Sequence, residues 1–180
     1  MKKRFWLLAL CLVSLLLVLT GCGSKKKPAE DGKQVLNIFS WADNFDPEMI
    51  KAFEKKYNCR VNYDVFANNE ELLAKIRAGG AQYDLIQPSD YMVSTMIKLS
   101  MLEKLDKDAL PNTRHMMDTL QHPQFDPRGE YSVVYTWGMT GIIYNKKYVK
   151  TPPTSWNDLW NPAYKGRVIL LNDSREVFGM

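Results

Sequence analysis

The chain of 180 residues carries 24 Lys and Arg against 20 Asp and Glu, three cysteines, 46% hydrophobic residues and 12% aromatics. That suffices for one ordinary domain, or one lobe and part of another, and the charged fraction of 24% with five tryptophans argues against disorder. Setting aside the first 21 residues removes Lys2, Lys3 and Arg4 and leaves 21 bases against 20 acids, so the remainder holds no basic domain for nucleic acid and no acidic tail, and the composition also excludes a disulfide scaffold and a polytopic membrane protein.

Met1 to Arg4 is a short positive segment, and Phe5 to Leu19 is an apolar run interrupted only by Ser14. A positive start, an apolar middle and a small residue ahead of a cut site read as a secretory signal over residues 1–21. The run falls short of the roughly 20 apolar residues that a bilayer-spanning helix needs. Its ending, Leu19-Thr20-Gly21-Cys22, resembles a lipobox. The expectation is therefore an exported protein anchored through lipid on Cys22, on the outer side of the cytoplasmic membrane or in the periplasm. Residues 22–33 read as a solvated tether. Cys11 leaves with the signal, so Cys59 stands alone in the folded part. With only His115 and His122 in the chain and neither nearby in sequence, a half-buried small hydrophobe is the expected role of Cys59, and no spacing builds a metal site.

From Val35 strand and helix signals alternate. Val35 to Ser40 is a short apolar strand, and Asp46-Pro47 opens a helix with Met49, Ile50, Phe53 and Tyr57 on one face. Val61, Tyr63 and Val65 alternate with polar residues as a strand does. Asn68-x-x-Glu71 has capping-box spacing ahead of Leu72, Leu73 and Ile76, and Gly79-Gly80 ends that helix. Tyr83 to Ile86 forms a third strand, and Ser89 or Asp90 caps a helix with Met92, Val93, Met96 and Ile97 inward. This β-α-β-α-β-α series implies a largely parallel sheet covered by helices. Residues 103–130, with Pro111, Pro123 and Pro127, read as a surface excursion with short helical turns. Strands are expected over 131–136, 141–145 and 168–171, a brief helix after Ser155, and a final helix from Asp173. That final helix has barely begun at Met180, so the expectation is a longer architecture cut within it.

In open α/β sheets ligands bind beyond the carboxyl ends of strands. Three such ends carry uncommon residue sets: Ser40-Trp41-Ala42-Asp43-Asn44-Phe45, Gln87-Pro88-Ser89-Asp90-Tyr91, and Asn172-Asp173-Ser174-Arg175-Glu176. Each has a structural alternative. Trp41 could plug the top of the sheet, Ser89 and Asp90 could cap a helix, Tyr91 could be a surface aromatic, and Asp173-x-x-Glu176 fits a capping box. Together, rings and carboxylates suit an organic cation. A cation over an indole gains about 0.5–2 kcal/mol, and a carboxylate at contact about 4 kcal/mol at an effective dielectric near 20, before desolvation is subtracted. Only Arg175 in these sets favours an anion.

These motifs resemble those of the spermidine/putrescine-binding proteins, the extracytoplasmic receptors of polyamine ABC transporters. The resemblance runs from Val35 onward through the Trp41 cluster, Tyr83-Asp84-Leu85-Ile86-x-Pro-Ser89-x-Tyr91 and Tyr135-x-Trp137-Gly138. It continues through Thr154-Ser155-Trp156-x-Asp158-Leu159-Trp160-x-Pro162-x-Tyr164-Lys165-Gly166 and Asp173-x-Arg175-Glu176-Val177-Phe178-x-Met180. It implies a type II periplasmic-binding-protein fold, α/β and two-lobed with mostly parallel central sheets. Residues 34–137 would form the first lobe, and 138–180 the hinge and an incomplete second lobe. It assigns ligand contact to Trp41 by stacking, to Ser89 and Tyr91 by polar and aromatic contact, and to Asp173 and Glu176 by ion pairing, with Asp43 as an addition. Trp137-Gly138 would pack at the hinge. Ala42 departs from a common hydroxyl and Asn44 from a usual aromatic, which bears on ligand preference. The resemblance implies a monomer that is not an enzyme, needs no cofactor or metal, and partners a polyamine and a cognate ABC permease. Family members are longer, so this chain is expected to bind polyamine weakly or not at all. The competing readings are a receptor of the same fold for another cation, an inert remnant, and an exported enzyme with Cys59 as nucleophile.

Overall fold

The computed structural model describes residues 32–79 and 82–179. Strand β1 (Gln34–Ser40) runs parallel between β2 (Cys59–Val65) and β3 (Leu85–Ile86), giving the order β2-β1-β3. The register pairs Gln34 with Cys59 through to Ser40 with Val65, and Ile38 and Phe39 with Leu85 and Ile86. Parallel strands need crossovers, and two helices supply them. Helix α1 (Pro47–Tyr57) joins β1 to β2, and α2 (Asn69–Arg77) carries the chain from β2 to the other side of β1. Helix α3 (Asp90–Lys98) follows β3.

The helix boundaries follow local chemistry. Asp46 caps α1, accepting the Glu48 N–H at 2.8 Å. The helix ends at Asn58, whose φ of 47° is a left-handed conformation that asparagine tolerates. Asn68 caps α2 by accepting from the Glu71 N–H at 2.9 Å. Glu71 reaches back to the Ala67 N–H at 2.9 Å, one residue earlier than the expected reciprocal pair. Gly79, at φ 69°, takes the left-handed turn after α2 that a residue with a Cβ resists; Gly80 lies outside the described residues.

Phe39, Phe66, Leu72, Met92 and Met96 form the buried core. They come from β1, the turn after β2, and the inward faces of α2 and α3. Phe39 stacks on Tyr83 at 4.5 Å and meets Phe66 edge-on at 5.0 Å. Burying one such side chain is worth about 1.5–3 kcal/mol. Cys59 opens β2 as a half-buried free thiol. By contrast α1 buries no residue, and Met49, Phe53 and Tyr57 of its expected inner face are exposed. The rings of Phe53 and Tyr57 cover one another at 4.6 Å.

Residues 103–130 form the expected excursion, with a 3₁₀ turn at Pro111–His115 and the short helix α4 (Asp118–Gln121). Its anchor is Asp126, a buried carboxylate that accepts the N–H groups of Glu130, Tyr131 and Ser132 and the Ser132 hydroxyl. The remaining chain differs from expectation. Residues 131–136, 141–145 and 168–171 form no strand, because no described strand lies alongside to complete their ladders. β-branched composition favours extended backbone, but a strand exists only when a neighbour pairs with it. Ile143 and Ile169 are correspondingly 99% and 94% exposed. Trp137, expected to pack at the hinge, is 63% exposed. The turn after Ser155 is a 3₁₀ helix, Trp156–Trp160, closed by a Ser155/Asp158 capping box. Helix α5 (Ser174–Phe178) begins at Asp173 as expected.

Among the described residues no helix is long and apolar enough to cross a membrane. The signal over 1–21, Cys22 and most of the 22–33 tether lie outside the described residues.

Candidate functional site

The carboxyl ends of all three strands open on one side of the sheet. The order β2-β1-β3 makes the β1/β3 pair a topological switch point, because the chain leaves β1 for β2 on one side and then crosses back past β1 to β3 on the other. Two hydrogen bonds tie this end together: the Gln87 N–H donates to the Phe39 carbonyl at 3.0 Å, and the Ser40 hydroxyl to Gln87 Oε1 at 2.5 Å. Trp41 follows β1 there, Asn68 and Asn69 follow β2, and Ser89 follows β3.

Trp41 is half-buried with its ring 4.5 Å from Phe66, and Tyr63 donates its hydroxyl to the Trp41 carbonyl. One side of the indole therefore rests on the core. Asp43 is exposed on the β1–α1 loop and takes no part in the hydrogen bonds of the cluster described next. At Asn44, where the resemblance leads one to expect a ring, the main-chain carbonyl accepts from the Tyr135 hydroxyl at 3.0 Å, and Phe45 packs against the Tyr135 ring at 5.1 Å.

Ser89, Tyr91, Asp173 and Glu176 are brought together. Tyr91 donates to both oxygens of Asp173, at 2.9 and 3.1 Å. Asp173 Oδ1 also caps α5, accepting from the N–H groups of Arg175 and Glu176 at 3.2 and 3.1 Å. Its Oδ2 accepts from the Asn69 main-chain N–H at 3.1 Å and from Asn69 Nδ2 at 2.9 Å. Asn69 in turn accepts the Ser89 N–H on Oδ1 at 3.0 Å and donates from Nδ2 to Ser89 Oγ at 3.1 Å. Ser89 stands at the N-cap of α3 without a side-chain capping bond; its hydroxyl is turned to Asn69 instead.

Burial pushes the Asp173 carboxyl up, but hydrogen bonds from Asn69, Glu176 and Tyr91 outweigh it and hold the group below the ordinary carboxylate range. The Tyr91 phenol is pushed well above its ordinary value, first by burial and then by the Asp173 carboxylate it bonds. Asp173 is therefore an ionised, internally satisfied anchor.

A cleft of about 690 Å³ opens beside this cluster, walled by Asp90, Tyr91, Lys98, Trp156, Arg175 and Glu176. Its two acids face two bases, so the wall is less uniformly acidic than the sequence implied. Arg175 is already engaged: its Nε lies 3.2 Å from Glu70 Oε1 and its guanidinium 5.6 Å from the Tyr91 ring. Glu70 Oε1 is buried with no hydrogen bond among the described residues, so its attraction to Arg175 is Coulombic only. That leaves Asp90 and Glu176 against Lys98. Trp156 gives this wall an indole that was not among the expected contacts, whereas Trp41 does not line the cleft. No group of three or more His, Cys, Asp or Glu among the described residues could hold a metal ion.

Asn69 is the residue the sequence reading overlooked. It stands next to the cap Asn68 and three before Leu72, the spacing of one helix face. An amide on the face that also buries Leu72 needs polar partners in the interior, and that was the available signal.

The sequence profile of the bacterial extracellular solute-binding protein family matches residues 82–180. The spermidine/putrescine-binding periplasmic protein of Escherichia coli (strain K12) is 38% identical over 153 residues, covering 83% of this chain and 44% of that protein. The spermidine/putrescine-binding periplasmic protein 1 of Haemophilus influenzae is 31% identical over 189 residues, covering 100% of this chain and 52% of that one. Among solved structures, a putative spermidine/putrescine ABC transporter protein from Listeria monocytogenes superposes with a TM-score of 0.78 at 37% identity, over 82% of this chain and 46% of that chain. A Treponema pallidum lipoprotein gives a TM-score of 0.66 at 36% identity, over 72% of this chain and 41% of that chain. The fold is thus that of the periplasmic binding proteins, and the chain spans about half the length of the curated relatives it matches.

Proposed function

The chain belongs to the bacterial extracellular solute-binding protein family, a family of binders and not of enzymes, and from that footing we propose that it takes part in capturing polyamines of the spermidine/putrescine class outside the cytoplasm for an ABC permease. The observation that carries this reading is the convergence of Ser89, Tyr91, Asp173 and Glu176 at the carboxyl end of a parallel sheet, beside a cleft walled in part by the Trp156 indole. Tyr91 and Trp156 offer ring faces to a protonated amine. Glu176 and Asp90 supply the accessible negative charge, and Asp173 adds a fixed one behind them. Trp41 offers its free side as a stacking surface at the switch point. Asp43 stays a peripheral contributor to the field. Anchoring by lipid on Cys22 after export belongs to the same reading, supported by the Leu19-Thr20-Gly21-Cys22 motif and by a lipoprotein among the similar structures.

Because relatives are about twice as long, the contacts present here form part of a cage, and binding weaker than micromolar is expected. The test is a titration of the isotopically labelled 180-residue chain with spermidine and putrescine, followed by NMR. Saturable shifts at Tyr91, Trp156 and Glu176, larger than those produced by magnesium at equal charge, are the expected result. Shifts absent at tens of millimolar, or matched by magnesium, would overturn the reading.

A further inference from the structure

We propose that Asn69 is the positioning residue of this site, a clasp that holds Ser89 and Asp173 in place before any ligand arrives. The inference rests on the polyamine reading only for what the site binds.

Asn69 is completely buried, and nearly all its hydrogen-bonding capacity is spent on these two residues. Both Nδ2 hydrogens are used, one on Ser89 Oγ and one on Asp173 Oδ2, while Oδ1 receives the Ser89 N–H. This set fixes the orientation of the amide, since a flipped one would press its carbonyl oxygen on the Asp173 carboxylate and its NH₂ on an N–H donor. It also accounts for the residue type. Aspartate would set a second carboxylate against the first, and leucine would leave a buried carboxylate short of a donor.

The clasp spans 104 positions of sequence between α2 and α5 and 20 between α2 and α3. It decides what each partner can still do. Ser89 Oγ accepts from Asn69, so its own hydrogen is left to donate away from the clasp. Asp173 Oδ2 takes both Asn69 donors in addition to Tyr91, so the carboxylate cannot swing toward solvent, and its charge acts on an ammonium group from a fixed position behind Glu176 and Asp90. The charged and titratable groups around Asp173 are Tyr91 from α3, Glu70 from α2, and Arg175 and Glu176 from α5. None of them bridges Ser89 to Asp173 as Asn69 does.

Carboxyl ¹³C NMR of the 180-residue chain, without ligand, reads the clasp directly. In Asn69→Ala the Asp173 titration midpoint rises, and in Asn69→Asp it rises further, while the midpoint of Asp126 in the distant excursion stays in place as a check on folding. An unchanged Asp173 midpoint in folded Asn69→Ala overturns the proposal. The unmutated chain gives a reading that needs no variant: the Asn69 side-chain amide resonances follow the Asp173 midpoint, and their indifference to it overturns the proposal as well. Spermidine titration adds the functional arm, with an expected loss of at least about tenfold in affinity in Asn69→Ala. Altered titration with intact affinity removes the positioning role and leaves the polyamine reading standing. If the unmutated chain ignores spermidine, the polyamine reading falls and the clasp stands or falls on the Asp173 midpoint alone.

Discussion

The Tyr91 hydroxyl bridges both carboxylate oxygens of Asp173, at 2.9 and 3.1 Å, across 82 positions of sequence. This contact joins the first turn of α3 to the cap of α5, and so holds the last described helix to the sheet. Removing only the hydroxyl separates its role from that of the ring. Tyr91→Phe keeps the face that lies near Arg175 and loses a hydrogen bond to an ionised group. A destabilisation of about 1.5–3 kcal/mol is expected from urea unfolding. A change below measurement error would mean that the remaining donors to Asp173 suffice.

The same pair shapes the alkaline limb of stability. The Tyr91 phenol holds its proton more tightly folded than unfolded. Its contribution is therefore complete below its unfolded value of about 10 and is lost as pH rises toward the native one. Tyr83 is raised as well, first by burial, so Tyr91→Phe should flatten the decline above pH 10 in part and not wholly. Thermal melts of both proteins across that range provide the comparison, and superimposable slopes would contradict the assignment.

The acid limb has the opposite sign. Burial pushes both Asp126 and Asp173 up, but their N–H and hydroxyl donors prevail and each carboxyl sits below its ordinary value. Such groups stabilise the fold above the unfolded value of about 3.9, and that stability is lost as pH falls through the native ones. Stability should hold level to about pH 5 and decline below it. Asp126→Asn should be less stable at pH 7 by about 2–3 kcal/mol and show a shallower acid decline. An equal slope in variant and parent would place the acid sensitivity elsewhere.

Phe39 is the centre of the core, fully buried between Phe66 and Tyr83. Phe39→Ala removes both ring contacts and leaves a cavity that the paired strands on either side cannot close. A loss of about 3–5 kcal/mol is expected, enough to unfold a chain of ordinary stability. Circular dichroism at 25 °C would report it as lost helix signal. A cooperative melt close to that of the parent would show that the core lies elsewhere.

Export and anchoring are tested by expressing the chain in a bacterium and labelling with a fatty acid. The expected product carries label on Cys22 and fractionates with membranes. Cys22→Ala should lose the label and leave the membrane fraction. Label retained by that variant would remove Cys22 as the attachment point.

Local chemistry, read along the chain, determined the capped starts of α1 and α2, the alternation that makes β2 a strand, the helical turns of 103–130, and Asp173 as the start of α5. In each case the controlling contacts lie within a few residues: Asp46 to Glu48, Asn68 to Glu71, Asp173 to Glu176. It also pointed to Trp41, Asp43, Ser89, Tyr91, Asp173 and Glu176, because the chemistry of each residue type and its place at a strand or helix end are local properties, but only the folded chain joins the last four in one cluster. What depended on partners far along the chain was decided only by the tertiary structure. Residues 131–136, 141–145 and 168–171 have strand composition and form no strand, since pairing is a property of two segments. The apolar face of α1 has helical spacing and lies exposed, since spacing does not say what covers it. Asn69 passed as an ordinary residue beside a cap until the fold set Asp173, 104 positions later, against its amide. A hydrogen bond of that span leaves no trace in local pattern, because its geometry exists only once the sheet has brought β2 and β3 to either side of β1 and α5 has docked on their carboxyl ends.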